Sequence, residues 1–410
     1  MPPGHSARVT RRGARARALL LAAVALLLAG GLAVLVGWRM VAGSDAPGGE
    51  WRAAGDTDSA SPGPTGPRTL TIVGAGDVLV HPQVWQQAAA DARAAGRDGY
   101  DFFPMFEHVS PVIAGADLAI CHMEVVLGPG QPSGYPYFKA PPEVADAVKR
   151  AGFDACSTVS NHTLDKGVEG VFATLDALDA AGLGHTGSFR SAAEAATPTI
   201  YDVGGVKVGH LAYTVHFNGL KRPAGREWIA NLIDPAEIIE AARATRAAGA
   251  EIVVLSLHWG TEYRHAPDAD QQRWARELIA SPDIDLILGH HAHVVQPFEK
   301  FGEKWVVYGM GNELARHAEP MNDNREGVMA RITFTETEPG RWRITTAEAV
   351  PTWVDISPRI RLVNLPAALA SPDTPADLRR VYQSAYDRIK GHLLSRGAGA
   401  DGLIVVAPGG

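Results

Sequence analysis

Three histidines crowd into four positions in Gly289-His290-His291-Ala292-His293, directly behind the apolar run Ile284 to Leu288. Such a run reads as a buried strand, and its far end is where α/β sheets place their sites. On a strand that continued, His291 and His293 would share one face and His290 would point away. A single histidine at a strand end is usually a hydrogen-bonded structural residue. Three together on an otherwise apolar element point to metal binding or catalysis.

One segment cannot hold a metal alone, so matching ligands are expected at other strand ends, and the sequence supplies them. Glu251 to Leu257 delivers His258-Trp259-Gly260-Thr261-Glu262-Tyr263, and Phe153 to Val159 delivers Ser160-Asn161-His162 with Asp165 and Gly167 behind. Asp117 to Cys121 delivers His122-Met123-Glu124, and Leu70 to Val73 delivers Gly74-Ala75-Gly76-Asp77. Apolar runs that each end in Asp, Glu, Asn or His suit a two-metal site of oxygen and nitrogen donors. In such a site carboxylates neutralise the cations and a bound water ionises near neutral pH. Asp77 and Glu124 would bring negative charge, and Asn161, His258, His291 and His293 neutral ligands. His162 could act as general acid or stabilise developing charge. The donor set suits two divalent transition ions, Mn, Fe or Zn, without choosing among them. Duller readings stand beside these: Asp77 could cap a turn and Asp165 could start the following helix. Glu262 could orient a ligand histidine from behind. His81, His108, His185, His210, His216, His265, His317 and His392 lack the strand-end pattern and read as surface or core residues.

Taken in order, Gly76-Asp77, His122-Met123-Glu124, Ser160-Asn161-His162 with Asp165, His258-Trp259-Gly260 with Glu262, Gly289 to Val294 with Gln296-Pro297, and Tyr308 with Gly311-Asn312 resemble the motifs of the CapA family. These are capsule and poly-γ-glutamate biosynthesis proteins whose fold is similar to the calcineurin-like metallophosphoesterases, and the resemblance covers roughly residues 69 to 315. It implies that Asn161, His258 and His291 hold one metal, that Asp77 and His293 hold the other, and that Glu124 bridges them. His162 would assist departure of the leaving group. The chain departs from the pattern in several places. Phosphoesterases usually open with Asp-x-His, whereas the first histidine after Asp77 is His81. The CapA pattern usually has Asn at His122, Asn at Ser160, Pro at Ala292, and Ser-Leu-Gly-Asn-Phe at Gly309 to Glu313. His122 could replace a missing ligand or be only a polar substitute.

Location follows from the N-terminus. Residues 18–38 contain no charged side chain, and Arg8, Arg11, Arg12, Arg15 and Arg17 precede them. That length suffices to span a bilayer and exceeds the usual signal-peptide core; Arg39 follows directly, and no clear small-x-small site precedes it. An uncleaved single-pass anchor in the plasma membrane is therefore favoured over a cleaved signal peptide. The arginines would stay cytoplasmic and the C-terminal domain would lie outside. Of 38 Lys and Arg, six lie at or before Arg39, leaving 32 beyond it against 45 Asp and Glu. So acidic a surface, without a basic stripe, argues against nucleic acid. An anionic polymer would need local positive charge, which the metals could supply. In an oxidising compartment Cys121 and Cys156 could pair if their strands are neighbours; buried free thiols are the alternative.

The expected organisation is a basic cytoplasmic segment (1–17), a transmembrane anchor (18–38), a flexible Gly/Pro/Ser-rich linker (39–68), a metallophosphoesterase-type domain (69–320) and a C-terminal β-hairpin and helix (321–410) packing on it. Apolar runs alternate with helical stretches at Pro142–Ala151, Val168–Ala181, Asp234–Ala248 and Asp268–Ala280, giving an α/β class. Helices flanking central β-sheets would form a layered sandwich. Gly327–Thr335 and Trp342–Val350 alternate around Pro339-Gly340 as an antiparallel hairpin, and Pro375–Leu394 reads as a terminal helix. The leading function is a membrane-anchored CapA-like protein acting in synthesis, release or export of a capsular polymer through a hydrolase-type site for a phosphoester or an amide. Two alternatives remain open: a non-catalytic polymer-binding subunit working with ligase and membrane partners, or a general extracytoplasmic metallophosphoesterase.

Overall fold

In the computed structural model, which describes residues 66–317 and 321–409, the apolar runs become strands of two stacked sheets. Thr69–Leu79 (β1), Leu118–Met123 (β2), Ala155–Ser157 (β3) and Gly184–Thr186 (β4) lie side by side and parallel in a nine-stranded sheet. The chain then builds a six-stranded sheet from Ile200–Val203 (β5), Val206–Thr214 (β6), Ile252–His258 (β7), Leu286–His290 (β8), Phe298–Phe301 (β9) and Lys304–Val307 (β10). Its order is β5-β6-β7-β8-β10-β9, with parallel central strands and antiparallel edges. Finally the chain returns to the first sheet with Asn312–Ala315 (β11), Glu326–Glu338 (β12), Arg341–Asp355 (β13), Arg361–Asn364 (β14) and Leu403–Val405 (β15).

Side-chain alternation sets the layers. Leu70, Ile72, Leu118 and Ile120 from one sheet meet Val208, Val254, Leu286 and Leu288 from the other in a shared core. The intervening residues Val73, Ala119 and Cys121 face outward onto Val84, Ala88, Val144 and Val148 of helices Pro82–Ala94 and Glu143–Ala151. On the far side Val253, Leu255, Leu257 and Ile287 pack against helices Pro235–Ala247 and Ala269–Ile279. Each such Val, Leu or Ile side chain contributes about 1.5–3 kcal/mol by leaving water, so the helix-sheet-sheet-helix order is the arrangement that buries both faces of both sheets. Asp234 and Asp268 cap the second pair of helices, the latter in a capping box with Gln271.

The hairpin is β12 and β13, and β12 runs antiparallel to β1, so it widens the main sheet. Helix Ala376–Leu393 places Tyr382, Ala385, Tyr386, Ile389 and Leu393 in the same core as Leu70 and Ile72. The apolar run at 18–38 falls outside the described residues, and no helix among those described is long and apolar enough to cross a membrane.

Cys121 and Cys156 stand opposite each other on β2 and β3, with Cα atoms 4.4 Å apart, and form a disulfide. It closes a loop with a sequence separation of 35. Replacing both with alanine is expected to lower the unfolding free energy by about 3–4 kcal/mol, chiefly by freeing the unfolded chain. Urea unfolding of oxidised wild type and the double variant measures this, and coincident curves would show that packing alone holds the strands.

Candidate metal centre

The inward alternation that builds the core also carries its last residues into the site. His122 follows Ile120 on β2, His258 follows Ser256 on β7, and His290 follows Leu288 on β8, each two residues on and on the inner face. Adjacent strands hold them level: Asp77 pairs with His122, and His258 with His290. A register shift in β1 between Gly74 and Asp77 and a parallel pairing of Asp77 with Asn312 of β11 mark where that strand turns its carboxylate inward. Gly289 permits the close approach of β8, since a Cβ there would lie 2.0 Å from the Tyr308 carbonyl oxygen.

Beyond His290 the strand stops, which overturns the simple alternation expected for the histidines. His291 and His293 adopt φ of 87° and 54°, left-handed values uncommon for a residue with a Cβ. His290 does not point away: its Nδ1 lies 3.2 Å from Asp77 Oδ1 and its ring stacks on His122 at 4.1 Å. The turn swings His293 onto the other Asp77 oxygen, with Nδ1 3.2 Å from Oδ2 and Nε2 3.5 Å from Glu124 Oε1. His291 donates its backbone N–H to Asp77, and its ring lies 4.5 Å from that of His258. Strain of this kind, of order 1–3 kcal/mol per residue, persists where the surroundings fix it.

A second sector joins from β3 and β7. His258 Nε2 is 2.9 Å from Asn161 Oδ1, while the Asn161 amide donates to Asn218 at 3.3 Å. Ser160 ties two site loops together by donating to the Glu124 carbonyl and accepting from the His162 N–H. Asp165 caps nothing: helix Gly167–Ala180 starts without a side-chain cap, and Asp165 instead sits 2.8 Å from His162 Nδ1 and accepts from the Phe138 N–H. Glu262 is exposed, and its carboxylate lies within 4.8 Å of ring nitrogens of His291 and His293. Asp77, Glu124, Asn161, His162, Asp165, His258, Glu262, His291 and His293 therefore gather at one end of the two sheets. Sequence reasoning gave His290 and Asn312 no part, although both lie inside named motifs. It also set aside His216 and His317, whose rings approach His291 and His293 at 5.4 and 5.5 Å, and His81, 4.6 Å from His317.

The buried donors fit a cation. The Asn312 amide donates to the backbone carbonyls of Asn324 and His293, so its oxygen must accept the His293 Nδ1–H, 3.0 Å away. That leaves the His293 Nε2 lone pair aimed at Glu124, whose two carboxylate oxygens are buried and find no hydrogen-bond partner among the described residues. His291 Nδ1 is likewise buried and unpartnered there. Unpaired acceptors of this kind are expensive to bury, and a divalent cation is the group that satisfies them together. Without it a proton takes the place: burial opposes a charge on His293, but Glu124 and Asp77 outweigh it and push the imidazole up to about 10. Burial, opposed by His293 and assisted by Asp77, raises the Glu124 carboxyl well above its usual range. His122 and His258 are held neutral, far below their ordinary value, by burial and by the surrounding imidazoles.

Residues 71–316, more than half of the chain, match the family described as bacterial capsule synthesis protein PGA_cap. The chain belongs to that family. Among PGA_cap relatives, the capsule biosynthesis protein CapA of Bacillus anthracis is 27% identical over 253 residues, covering 59% of this chain and 59% of the relative. The PGA biosynthesis protein CapA of Bacillus subtilis (strain 168) is 25% identical over 246 residues, covering 59% and 64%. The match thus spans about three-fifths of the length of these curated relatives. Among solved structures, the calcineurin-like phosphoesterase YfkN from Bacillus subtilis superposes with a TM-score of 0.45 at 13% identity, covering 78% of this chain and 99% of that one. The 5'-nucleotidase precursor from Thermus thermophilus gives a TM-score of 0.41 at 16% identity, covering 78% and 59%.

Proposed function

We propose that this PGA_cap protein is a membrane-anchored, outward-facing, metal-dependent hydrolase-type protein acting on a capsular polymer of the poly-γ-glutamate kind. The observation that carries the metal centre is the buried Glu124 carboxylate, without a hydrogen-bond partner among the described residues and 3.5 Å from Nε2 of His293. Asp77, Glu124 and His293, with Glu262 near His293, would hold one divalent ion, and Asn161, His258 and His291 a second. Such ions would polarise an amide or phosphoester and acidify a water. His162 donates its Nδ1–H to Asp165, so Nε2, once it has taken a proton from solvent, would hand that proton to the departing nitrogen or oxygen. The Cys121–Cys156 disulfide supports an oxidising compartment, and the arginines before residue 18 support an N-terminus kept in the cytoplasm. Capsular polymer enters from the family and its CapA relatives, and membrane or ligase partners would act beside it.

Elemental analysis of wild type and His291→Ala, followed by assays on γ-glutamyl amides and phosphoesters, tests the reading. The expected result is about two equivalents of a transition metal in wild type, lost together with turnover in the variant. Metal without any turnover would favour a polymer-holding subunit, and no metal after reconstitution would remove the hydrolase reading.

A further inference from the structure

His122 lies in the middle of the centre with both ring nitrogens engaged. Nδ1 is 2.7 Å from Ser157 Oγ, and Nε2 is 2.9 Å from His258 Nδ1. Its ring is sandwiched at 4.1 Å from His290 and 5.0 Å from His258. His122 also falls with Asp77 and His290 in a cluster of potential ligand atoms. To bind a cation it would have to surrender one of those two hydrogen bonds, because a nitrogen that carries or accepts a shared hydrogen has no free lone pair.

The hydrogen bonds run as a chain. The Cys121 carbonyl lies 3.4 Å from Ser157 Oγ on one side, and Asn161 Oδ1 lies 2.9 Å from His258 Nε2 at the other end. Two polarities satisfy it with the same number of protons. In one, every hydrogen points toward Asn161, and His258 Nε2–H donates to the amide oxygen. In the other, Ser157 donates to Cys121, His122 Nδ1–H to Ser157, and His258 Nδ1–H to His122. Only the second bares Nε2 beside Asn161 Oδ1, two lone-pair donors side by side that a cation can share. We propose that His122, backed by Ser157, is a positioning residue that holds His258 in its Nδ1–H tautomer so that Nε2 faces the cation. This rests on the metal-centre reading above. A metal-bound imidazole needs an acceptor on its other nitrogen, and here a second imidazole fills the place more often taken by a carboxylate or carbonyl.

The test uses the full-length chain and zinc, a diamagnetic probe, with the variants His122→Phe and Ser157→Ala. Phenylalanine keeps the stack and removes the acceptor; alanine removes only the far end of the chain, and decides alone if the first variant does not fold. Zinc affinity comes from chelator competition, and the tautomer from 15N signals of labelled histidine, with the His258 resonance assigned by its loss in His258→Gln. Wild type should show His258 protonated at Nδ1 before zinc is added as well as after, and the zinc-free spectrum is the deciding one, because zinc on Nε2 by itself forces the proton onto Nδ1. In zinc-free His122→Phe that signature should be lost, and zinc affinity should fall about 10–100-fold at unchanged stoichiometry; Ser157→Ala should shift both the same way by less. Unchanged affinity and tautomer in the variants would overturn the relay while leaving the metal centre intact. Loss of one whole equivalent in His122→Phe would make His122 a ligand and overturn it too. A wild type that binds no zinc would overturn the centre itself, and the relay with it.

Discussion

Glu124→Gln is expected to weaken the metal-loaded protein far more than the metal-free one. In the metal-free state the substitution removes a carboxylate buried without a hydrogen-bond partner among the described residues, but also the charge 3.5 Å from His293 Nε2 that helps keep that imidazole protonated. The two effects oppose, and thermal stability in chelator should change by about 1 kcal/mol or less. In the loaded state it removes the negative charge that, with Asp77, faces His293. An amide has one weak donor oxygen where the carboxylate offers two, and it balances no charge. Divalent-metal affinity should fall roughly 1,000-fold, equivalent to about 4 kcal/mol of lost ligand stabilisation. Melting with chelator and with saturating manganese measures both effects. A variant that keeps its full manganese shift would contradict the assignment of Glu124 as the anionic donor.

A second large effect concerns Glu313, one residue past Asn312 on β11. Its side chain is fully buried, both oxygens lack partners among the described residues, and burial alone pushes the carboxyl up to about 8. An unfolded chain releases that proton near the ordinary value of 4.5. Between about pH 4.5 and pH 8 the unfolded state therefore binds fewer protons, and stability falls by about 1.4 kcal/mol per pH unit. The penalty is absent below the lower value and complete above the upper one. Glu313→Gln should remove this slope and leave the variant about 3–5 kcal/mol more stable at pH 8, with near parity at pH 4.5. Chemical denaturation at both pH values decides it: equal slopes for the two proteins would show that the carboxyl meets water or a partner in solution.

The strands were legible because burial on both faces demands long apolar runs, and β7 and β8 begin and end within two residues of the runs at 251–257 and 284–288. Helix starts were legible for a local reason, as at Asp234 and Asp268, where the capping carboxylate is written in the sequence. His290 was misread because period-2 reasoning presumes that the strand continues, and nothing in Gly-His-His-Ala-His announces left-handed backbone at two histidines. Asn312 was visible within its motif, yet its role depends on three partners that only folding brings near: His293, Asn324 and His317. Asp165, a candidate site residue whose place before a helix also allowed a cap, is not a cap and instead pairs with His162 three residues back.

The residues of the centre come from both sheets and are scattered between Asp77 on β1 and Asn312 on the strand that returns to the first sheet. Early sections of a growing chain can pair β1 with β2, but they hold only two carboxylates and His122. The second sheet must form, and β11 must come back beside β1, before a complete nest for a cation exists. Long-range closure of this sort is slow, and its order is imposed by the topology. Uptake of the proposed metal would thereby be a late event in maturation: a truncated or stalled chain would hold the ion poorly, and retention of the ion would distinguish finished molecules from incomplete ones.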